Sequence, residues 1–155
     1  MNDPLYRPNV ACILRNAAGK ILIAQRSGLE GAWQFPQGGI DPGESPDEAL
    51  EREMIEEIGL QPEQYRVVDR KGPYRYLFTP GVRKRGFDGQ EQTYFLADLL
   101  AETWVFREDC EAGEFDAVRW IRPADFRLEW VVDFKRSVYR DVFRDFFAVS
   151  LGEAA

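Results

Sequence analysis

The segment that most constrains this chain is a short helix whose two ends are both marked in the sequence. Ser45 is a good N-cap residue, Pro46 suits the first helical position, and Glu48 stands where it completes a capping box. Gly59 is typical of the position just past the end of a helix. The sequence therefore predicts a helix from about Ser45 to Gly59.

Three glutamates project from one side of this predicted helix. At about 100° per residue, Glu53, Glu56 and Glu57 share an arc of about 100°. The adjacent stripe, which is apolar and faces the core, consists of Leu50, Met54 and Ile58. Like charges at this spacing repel each other, and a cation bound between them reverses that penalty. A solvated acidic helix face is the alternative interpretation of the glutamates alone.

Composition limits the chemistry that such carboxylates can serve. The chain has no histidine, which excludes a histidine general base, a Ser-His-Asp triad and a His-ligated zinc. Its two cysteines, Cys12 and Cys110, are too few for a four-cysteine zinc site, and Cys12 lies in an apolar run typical of core. A metal would therefore be held by oxygen ligands, which favours Mg²⁺ or Mn²⁺.

Length and charge narrow the class of protein further. A chain of 155 residues favours a single domain over 1–155, with 152–155 frayed. The net charge of −7 argues against non-specific nucleic-acid binding over a broad basic face. Nothing approaches the roughly 20 apolar residues of a membrane span, and the N-terminus lacks a secretory signal, so a cytoplasmic location is expected.

Alternating and apolar runs predict several strands and one more helix. The predicted strands cover 10–14, 21–25, 33–36, 66–68, 74–78, 92–97 and 117–121. A tight turn at Asn16 to Gly19 joins the first two, and helical spacing of apolar residues predicts a second helix from about Val131 to Ser150. Strands mixed around two amphipathic helices predict an α/β sandwich, with helices on both sides of a mixed sheet.

The wider pattern around the first helix resembles the signature of the Nudix hydrolases. The matching positions are Gly38, Glu44, Arg52, Glu53, Glu56, Glu57 and Gly59. The resemblance implies an α/β/α sandwich with a mixed sheet. It also implies hydrolysis of a nucleoside diphosphate linked to another group, with two or more Mg²⁺ or Mn²⁺ ions as cofactors.

Segments outside that signature resemble one branch, the bacterial RNA 5′-pyrophosphohydrolases and related dinucleoside polyphosphate hydrolases. They cover 6–10, 33–40, 89–95, 114–120 and 131–136. The resemblance implies removal of pyrophosphate from 5′-triphosphorylated RNA to leave a 5′-monophosphate, a step expected to initiate mRNA decay. One alternative is asymmetric cleavage of diadenosine polyphosphates with release of ATP. Another is sanitation of damaged deoxynucleotides, which shares only the signature, and the remotest is a non-catalytic Nudix-like binding module.

The resemblance also implies roles at the site. The residues that it assigns to the metal ions are Gly38, Glu53, Glu56, Glu57 and Glu114. Arg52 is expected to orient a glutamate. Without histidine, a carboxylate must take the proton of the attacking water. Glu114 and Glu57 are the two candidates for that base, and a plain loop acid is the alternative for Glu114.

Substrate contacts are expected from basic, amide and aromatic side chains. The candidates are Arg7, Arg26, Gln37, Tyr76 and Lys135. Arg7 and Arg26 would meet phosphates or the adjoining nucleotide, and Tyr76 would stack on a base. Solvated surface positions are the alternative for the basic residues, and core packing is the favoured interpretation of Phe134. The basic run 83–85 could meet an RNA backbone or form a solvated loop.

Overall fold

The computed structural model describes residues 3–100, 104–107 and 113–152. These residues form seven strands and two α-helices, joined by turns and short 3₁₀ segments. The strands are β1 (Tyr6–Arg15), β2 (Ile21–Arg26), β3 (Trp33–Gln34), β4 (Gln37–Gly39), β5 (Tyr65–Leu77), β6 (Gly89–Leu99) and β7 (Phe115–Ile121). The helices are α1 (Pro46–Ile58) and α2 (Arg136–Phe147). No helix in these ranges is long and apolar enough to cross a membrane.

The strands form one mixed sheet. Its main path runs β3-β2-β1-β6-β5, with β4 paired to β1 and β7 paired to β2. The central pair β1 and β6 is parallel, in register from Tyr6 opposite Gly89 to Arg15 opposite Asp98. The remaining pairs are antiparallel. The sheet therefore has the mixed character that the sequence predicts.

Each face of the sheet is covered by one helix. Val10, Cys12 and Leu14 of β1 point to the layer that α1 fills with Leu50 and Met54. The alternate residues of β1 point to the opposite layer, where the aromatic and β-branched side chains of α2 pack; examples are Ala11, Ile13, Val142 and Phe143. This alternation follows from the period of two along a strand. The predicted α/β/α sandwich is confirmed.

Helix α1 begins and ends as its caps predict. The Ser45 hydroxyl accepts a hydrogen bond from the Glu48 amide, and the Ser45 amide donates to the Glu48 carboxylate, both at 3.1 Å. At the other end Gly59 adopts φ 67° and donates to the Ile55 carbonyl at 3.1 Å. These short-range contacts fix where the carboxylate-bearing helix starts and stops.

The second helix is shorter than predicted, and its predicted start at Val131 is wrong. The chain is extended at Val131 and Val132, makes a 3₁₀ turn over Asp133–Lys135, and becomes α-helical only at Arg136. The Arg136 side chain donates to the carbonyls of Leu128 and Val131, which holds the extended segment against the helix start. Apolar spacing alone cannot separate this packed loop from a helical turn. At the other end Ala148, at φ 53°, stops the helix before Ser150.

The two predicted strands 66–68 and 74–78 belong to the single strand β5, which ends one residue earlier than predicted, at Leu77. Its register shifts between Lys71 and Tyr74, so Gly72 and Pro73 are absorbed as an irregularity. A proline is tolerated there because β5 is an edge strand. Cys12 is buried as predicted, whereas Cys110 and residues 153–155 lie outside the described residues. The single-domain assignment stays a prediction.

Candidate active site

The glutamates of α1 lie where the helix meets the sheet rather than in solvent. Glu53 is 7% exposed and Glu57 is 2% exposed, while Glu56 is half-buried. The solvated acidic face is therefore the wrong interpretation for Glu53 and Glu57. Buried carboxylates need partners or a counter-charge, because removing a charge from water is costly. The contacts of Glu53 and Glu57 show how far such partners are present.

Arg52 provides part of that counter-charge. Its guanidinium donates through Nε and Nη2 to both carboxylate oxygens of Glu44, each at 2.8 Å. Nη1 donates to Glu53 at 2.8 Å and to Glu56 at 3.2 Å. Nη2 also donates to the Gly39 carbonyl at 2.9 Å, which ties the helix to β4. One arginine thus fixes three carboxylates, and it lowers the pKa of Glu44 to about 2.

Two adjacent glycines let β4 approach charged side chains on both of its faces. A Cβ at Gly38 would lie 1.9 Å from the carboxyl carbon of Glu53. A Cβ at Gly39 would lie 2.1 Å from the guanidinium of Arg7, on the opposite face of the strand. Both positions therefore require glycine for space, and the Gly38 backbone forms one wall of the Glu53 site.

Glu57 is the most deeply buried carboxylate of the group. Burial raises its pKa, and the neighbouring carboxylates of Glu114 and Glu53 raise it further. One of its oxygens, Oε2, is buried without a hydrogen-bond partner among the described atoms. Burial also raises the pKa of Glu53. Like charges therefore converge on Glu57 from α1 and from the loop before β7.

Glu114 is brought to this point by pairing between β2 and β7. It immediately precedes β7, and its carbonyl accepts a hydrogen bond from the Ser27 amide at 2.8 Å. The Ser27 hydroxyl donates to the Gly113 carbonyl at 2.8 Å and holds the same loop. The β2–β7 register shifts between Gln25 and Arg26, as at bulges that redirect side chains near sites.

The carboxylate group fits a hard divalent cation. Its donor atoms are all oxygens, and the Glu57 oxygen without a hydrogen-bond partner is buried among them. Arg52 compensates only part of the negative charge that converges there. Within the described ranges no three acidic side chains already stand in ligating geometry. Arg52 forms ion pairs with oxygens of Glu44, Glu53 and Glu56. The donor set suits Mg²⁺ or Mn²⁺.

A cavity of about 470 Å³, here called the basic cavity, opens on the α2 face of the sheet. Its charged and polar lining includes Arg26, Gln37, Lys84, Gln90, Glu114 and Lys135. Burial, together with the positive charges of Arg26 and Lys84, lowers the pKa of Lys135 to about 8. Cations crowded at this density need an anionic partner. Glu114 belongs both to this lining and to the surroundings of Glu57, so the carboxylate group and the basic cavity meet there.

The structure brings four of the five predicted substrate residues into that lining and leaves the fifth beside it. Arg26, Gln37, Tyr76 and Lys135 line the cavity. Arg7 is not among its lining residues, but it lies in one cross-strand row with Gln90 and Tyr76. Tyr76 is only 5% exposed; its ring stacks on Phe134 and its hydroxyl donates to Gln90. Phe134 packs at the edge of the core, as predicted, and also lines the cavity.

Several polar residues of the site were not predicted from the sequence. Gln90 lines the cavity, and the Gln92 side-chain amide donates to Asn9 at 3.0 Å and to Gln37 at 2.6 Å. Their signal is the alternation along β6, which puts Gln90 and Gln92 on the buried face that Tyr94 shares. Lys84 comes from the basic run 83–85, which is a hydrogen-bonded turn with Lys84 directed over Phe78.

Comparisons with known proteins define the class. The chain matches the NUDIX domain over residues 5–142 and therefore belongs to the Nudix hydrolase family. It is 38% identical over 154 residues to the RNA pyrophosphohydrolase of Pectobacterium atrosepticum, covering 96% of this chain and 86% of the relative. The RNA pyrophosphohydrolase of Yersinia pestis (strain Pestoides F) is also 38% identical, with 96% and 87% covered. The chain is thus a homologue of RNA pyrophosphohydrolases.

Solved structures confirm the fold. A dihydroneopterin triphosphate pyrophosphohydrolase of E. coli has a TM-score of 0.70 at 18% identity, over 93% of this chain and 98% of that one. An Ap4A hydrolase of C. elegans in a binary complex has a TM-score of 0.64 at 22% identity, over 92% and 98%. Nudix enzymes generally use divalent metal ions, in keeping with the all-oxygen donor set described above.

Substitution Gly38→Ala should lower the free energy of unfolding by about 1–3 kcal/mol, because the new methyl group collides with a buried carboxylate that Arg52 holds in place. Urea unfolding measures the change. Gly152→Ala is the matched control, since nothing lies within 4 Å of a Cβ there. In a Glu53→Ala background the cost of Gly38→Ala should largely vanish; an undiminished cost would show that the collision with Glu53 is not the cause.

Proposed function

We propose that this protein is an RNA 5′-pyrophosphohydrolase that depends on Mg²⁺ or Mn²⁺. It removes pyrophosphate from 5′-triphosphorylated RNA and leaves a 5′-monophosphate, a step that exposes transcripts to decay. The observation that carries the proposal is the position of Glu114, which joins a buried carboxylate group to a cavity lined by Arg26, Lys84 and Lys135. Such a pairing suits a ligand that is a polyphosphate at one end and a nucleotide beyond it.

The relatives support RNA as the substrate. Two RNA pyrophosphohydrolases are 38% identical to this chain over nearly its whole length. The Ap4A hydrolase is similar at 22% identity, a level that speaks for the fold alone. Diadenosine polyphosphate hydrolysis is therefore kept as the competing outcome of the experiment below. A cytoplasmic location, where transcripts are degraded, remains our expectation.

We assign the metal ions to Glu53, Glu56, Glu57 and Glu114, with the Gly38 backbone beside Glu53. Bound there, Mg²⁺ or Mn²⁺ supplies neutralisation of phosphate charge and activation of a water molecule. Arg52 is a positioning residue, since its contacts go to Glu44, Glu53, Glu56 and a backbone carbonyl. Its guanidinium holds these three carboxylates in place beside one another.

The basic cavity binds the anionic chain. Arg26, Lys84 and Lys135 present positive charge to the phosphates, and Gln37 and Gln90 offer amide groups beside them. Arg7 extends this polar row from β1, while Tyr76 and Phe134 form its aromatic wall. Water adds to phosphorus, the bridging P–O bond breaks, and pyrophosphate leaves. A carboxylate accepts the proton of the water, and Glu57 or Glu114 is the group placed to do so.

Offered side by side with Mg²⁺, 5′-triphosphorylated RNA and diadenosine tetraphosphate should be turned over unequally. We expect pyrophosphate and 5′-monophosphorylated RNA as the main products, because the relatives that match nearly the whole chain are RNA pyrophosphohydrolases. Product identification by ion-exchange chromatography measures this. Turnover of the dinucleotide alone, with release of ATP, would transfer the proposal to the competing activity.

Substitution Glu57→Gln should reduce turnover roughly hundredfold or more, because it removes a charge at the centre of the carboxylate group. The folded protein should not be destabilised, since the raised pKa of the buried Glu57 favours its neutral form, which a glutamine amide resembles in size and polarity. Steady-state kinetics and thermal unfolding of the metal-free protein measure both effects. Glu51→Gln, on an exposed position of the same helix, is the control and should behave as wild type. Near-normal turnover of Glu57→Gln would remove Glu57 from the site.

The pKa of Lys135 predicts a pH dependence of substrate capture. Because this pKa is lowered to about 8, Lys135 is charged below that pH and loses its charge above it. We therefore expect kcat/KM for triphosphorylated RNA to fall about tenfold between pH 7 and pH 9. Lys135→Arg keeps its charge throughout and should abolish the decline. A decline of equal size in Lys135→Arg would assign it to another group.

A further inference from the structure

A second cleft, larger than the basic cavity, lies at the far end of β7 from Glu114. It encloses about 960 Å³ and is here called the arginine cleft. Its basic and aromatic lining includes Lys20, Arg119, Arg122, Arg127 and Trp130. Asp125 is the acidic residue among the described lining side chains. Positive charge is thus concentrated here on a chain whose net charge is −7.

Arg119 is held in place by aromatic rings. Its guanidinium lies 5.3 Å from the ring centre of Trp33 and 5.7 Å from that of Trp130. Stacking of this kind orients the guanidinium plane and leaves its N–H donors in that plane for a phosphate. Arg122 and Arg127 are exposed, and their ion pairs with Asp125 and Glu129 are of the weak surface kind.

The arginine cleft is connected to the basic cavity along the surface. Val132 lines both the basic cavity and an intermediate cleft of about 700 Å³, and Trp130 lines both that cleft and the arginine cleft. Leu29 and Val132, which are 48% and 45% exposed, give the intermediate cleft apolar surface. Its acidic residues Glu30, Glu129 and Asp133 outweigh Arg136 in the lining, which disfavours phosphate there and leaves bases as the groups that fit.

We propose that the arginine cleft binds the body of a single-stranded RNA whose 5′ end occupies the basic cavity, an inference that rests on the proposed function. Glu114 and Arg119 are about 17 Å apart along β7, a span that a few extended nucleotides cover. Phosphates of those nucleotides pair with Arg119, Arg122 and Arg127, and Trp130 offers a ring for stacking. Charge complementarity and continuity with the basic cavity select RNA over an acidic protein as occupant.

Binding of RNA without a 5′-triphosphate tests the cleft independently of hydrolysis. The probe is a single-stranded 5′-hydroxyl RNA of about 16 nucleotides, the upper range for single-strand-binding folds, followed by fluorescence anisotropy. In the variant Arg119→Gln/Arg122→Gln/Arg127→Gln we expect Kd to rise roughly tenfold. We also expect the slope of log Kd against log salt to become shallower by about two, since each single-strand phosphate contact contributes about 0.7.

The matched control removes equal charge at the opposite edge of the sheet and in α2. Arg66→Gln/Arg70→Gln/Arg144→Gln alters exposed positions outside the connected clefts and should bind as wild type. Because Arg119 contacts two tryptophans, the double variant Arg122→Gln/Arg127→Gln is measured as well. This double variant keeps the contacts of Arg119 with the tryptophans. It should show more than half of the change in salt slope that the triple variant shows.

Kinetics then separate this inference from the proposed function. In the triple variant, KM should rise roughly tenfold for triphosphorylated RNA of that length, with kcat and the KM of a triphosphorylated dinucleotide unchanged. Two results would contradict RNA binding at the arginine cleft while leaving the proposed enzyme activity intact. One is an equal KM of the wild type for the two RNA lengths, and the other is an equal effect of the cleft and control variants. If the wild type did not turn over RNA, the proposed function would be wrong instead. The anisotropy measurement would still show whether the arginine cleft binds RNA. Undiminished RNA binding in the triple variant would leave an acidic protein as the occupant.

Discussion

The burial of Glu57 against Glu53 and Glu114 is the interaction on which the rest of the site depends. A carboxylate that is 2% exposed and faces two more carboxylates is unstable by itself, since burial and repulsion act in the same direction. The protein tolerates it because α1 is anchored by a capping box and by a tightly packed apolar stripe. Part of the stability of the fold thereby offsets the cost of a buried carboxylate group that fits a divalent cation.

The sheet separates a group of carboxylates from a group of basic and amide side chains, and the two groups meet at two places. Carboxylates gather on the α1 face, and basic and amide side chains gather on the α2 face. One junction is β4, whose adjacent glycines admit Glu53 on one side and Arg7 on the other. The other is the loop before β7, where Glu114 reaches both groups. Among the described residues, the cations of the basic cavity therefore lie near Glu114 without a direct ion pair to it.

Features set by the capping contacts of a single helical turn were predictable, and features set by side-chain contacts over longer separations were not. The limits of α1 follow from Ser45, Glu48 and Gly59, and the carboxylate arc follows from helical geometry. The start of α2 depends on Arg136 bonding to the Leu128 carbonyl, and the position of Lys84 depends on packing over Phe78. Apolar spacing carries no record of such contacts. Gln90 was predictable only in part. Strand alternation places its side chain on one face of the sheet, but it does not reveal that a cavity lies there.

The acidic surface and the two basic regions act together. A net charge of −7 repels RNA from most of the molecule, so non-specific attachment in the middle of a transcript is weak. Positive charge is concentrated in the basic cavity and the arginine cleft, which are connected along one side of the sheet. Under the proposed function, an RNA would gain the full attraction only when its 5′ end enters the basic cavity and its body follows the surface to the arginine cleft. On that proposal, selection of the chain end follows from where the charge lies and requires no recognition of a particular base.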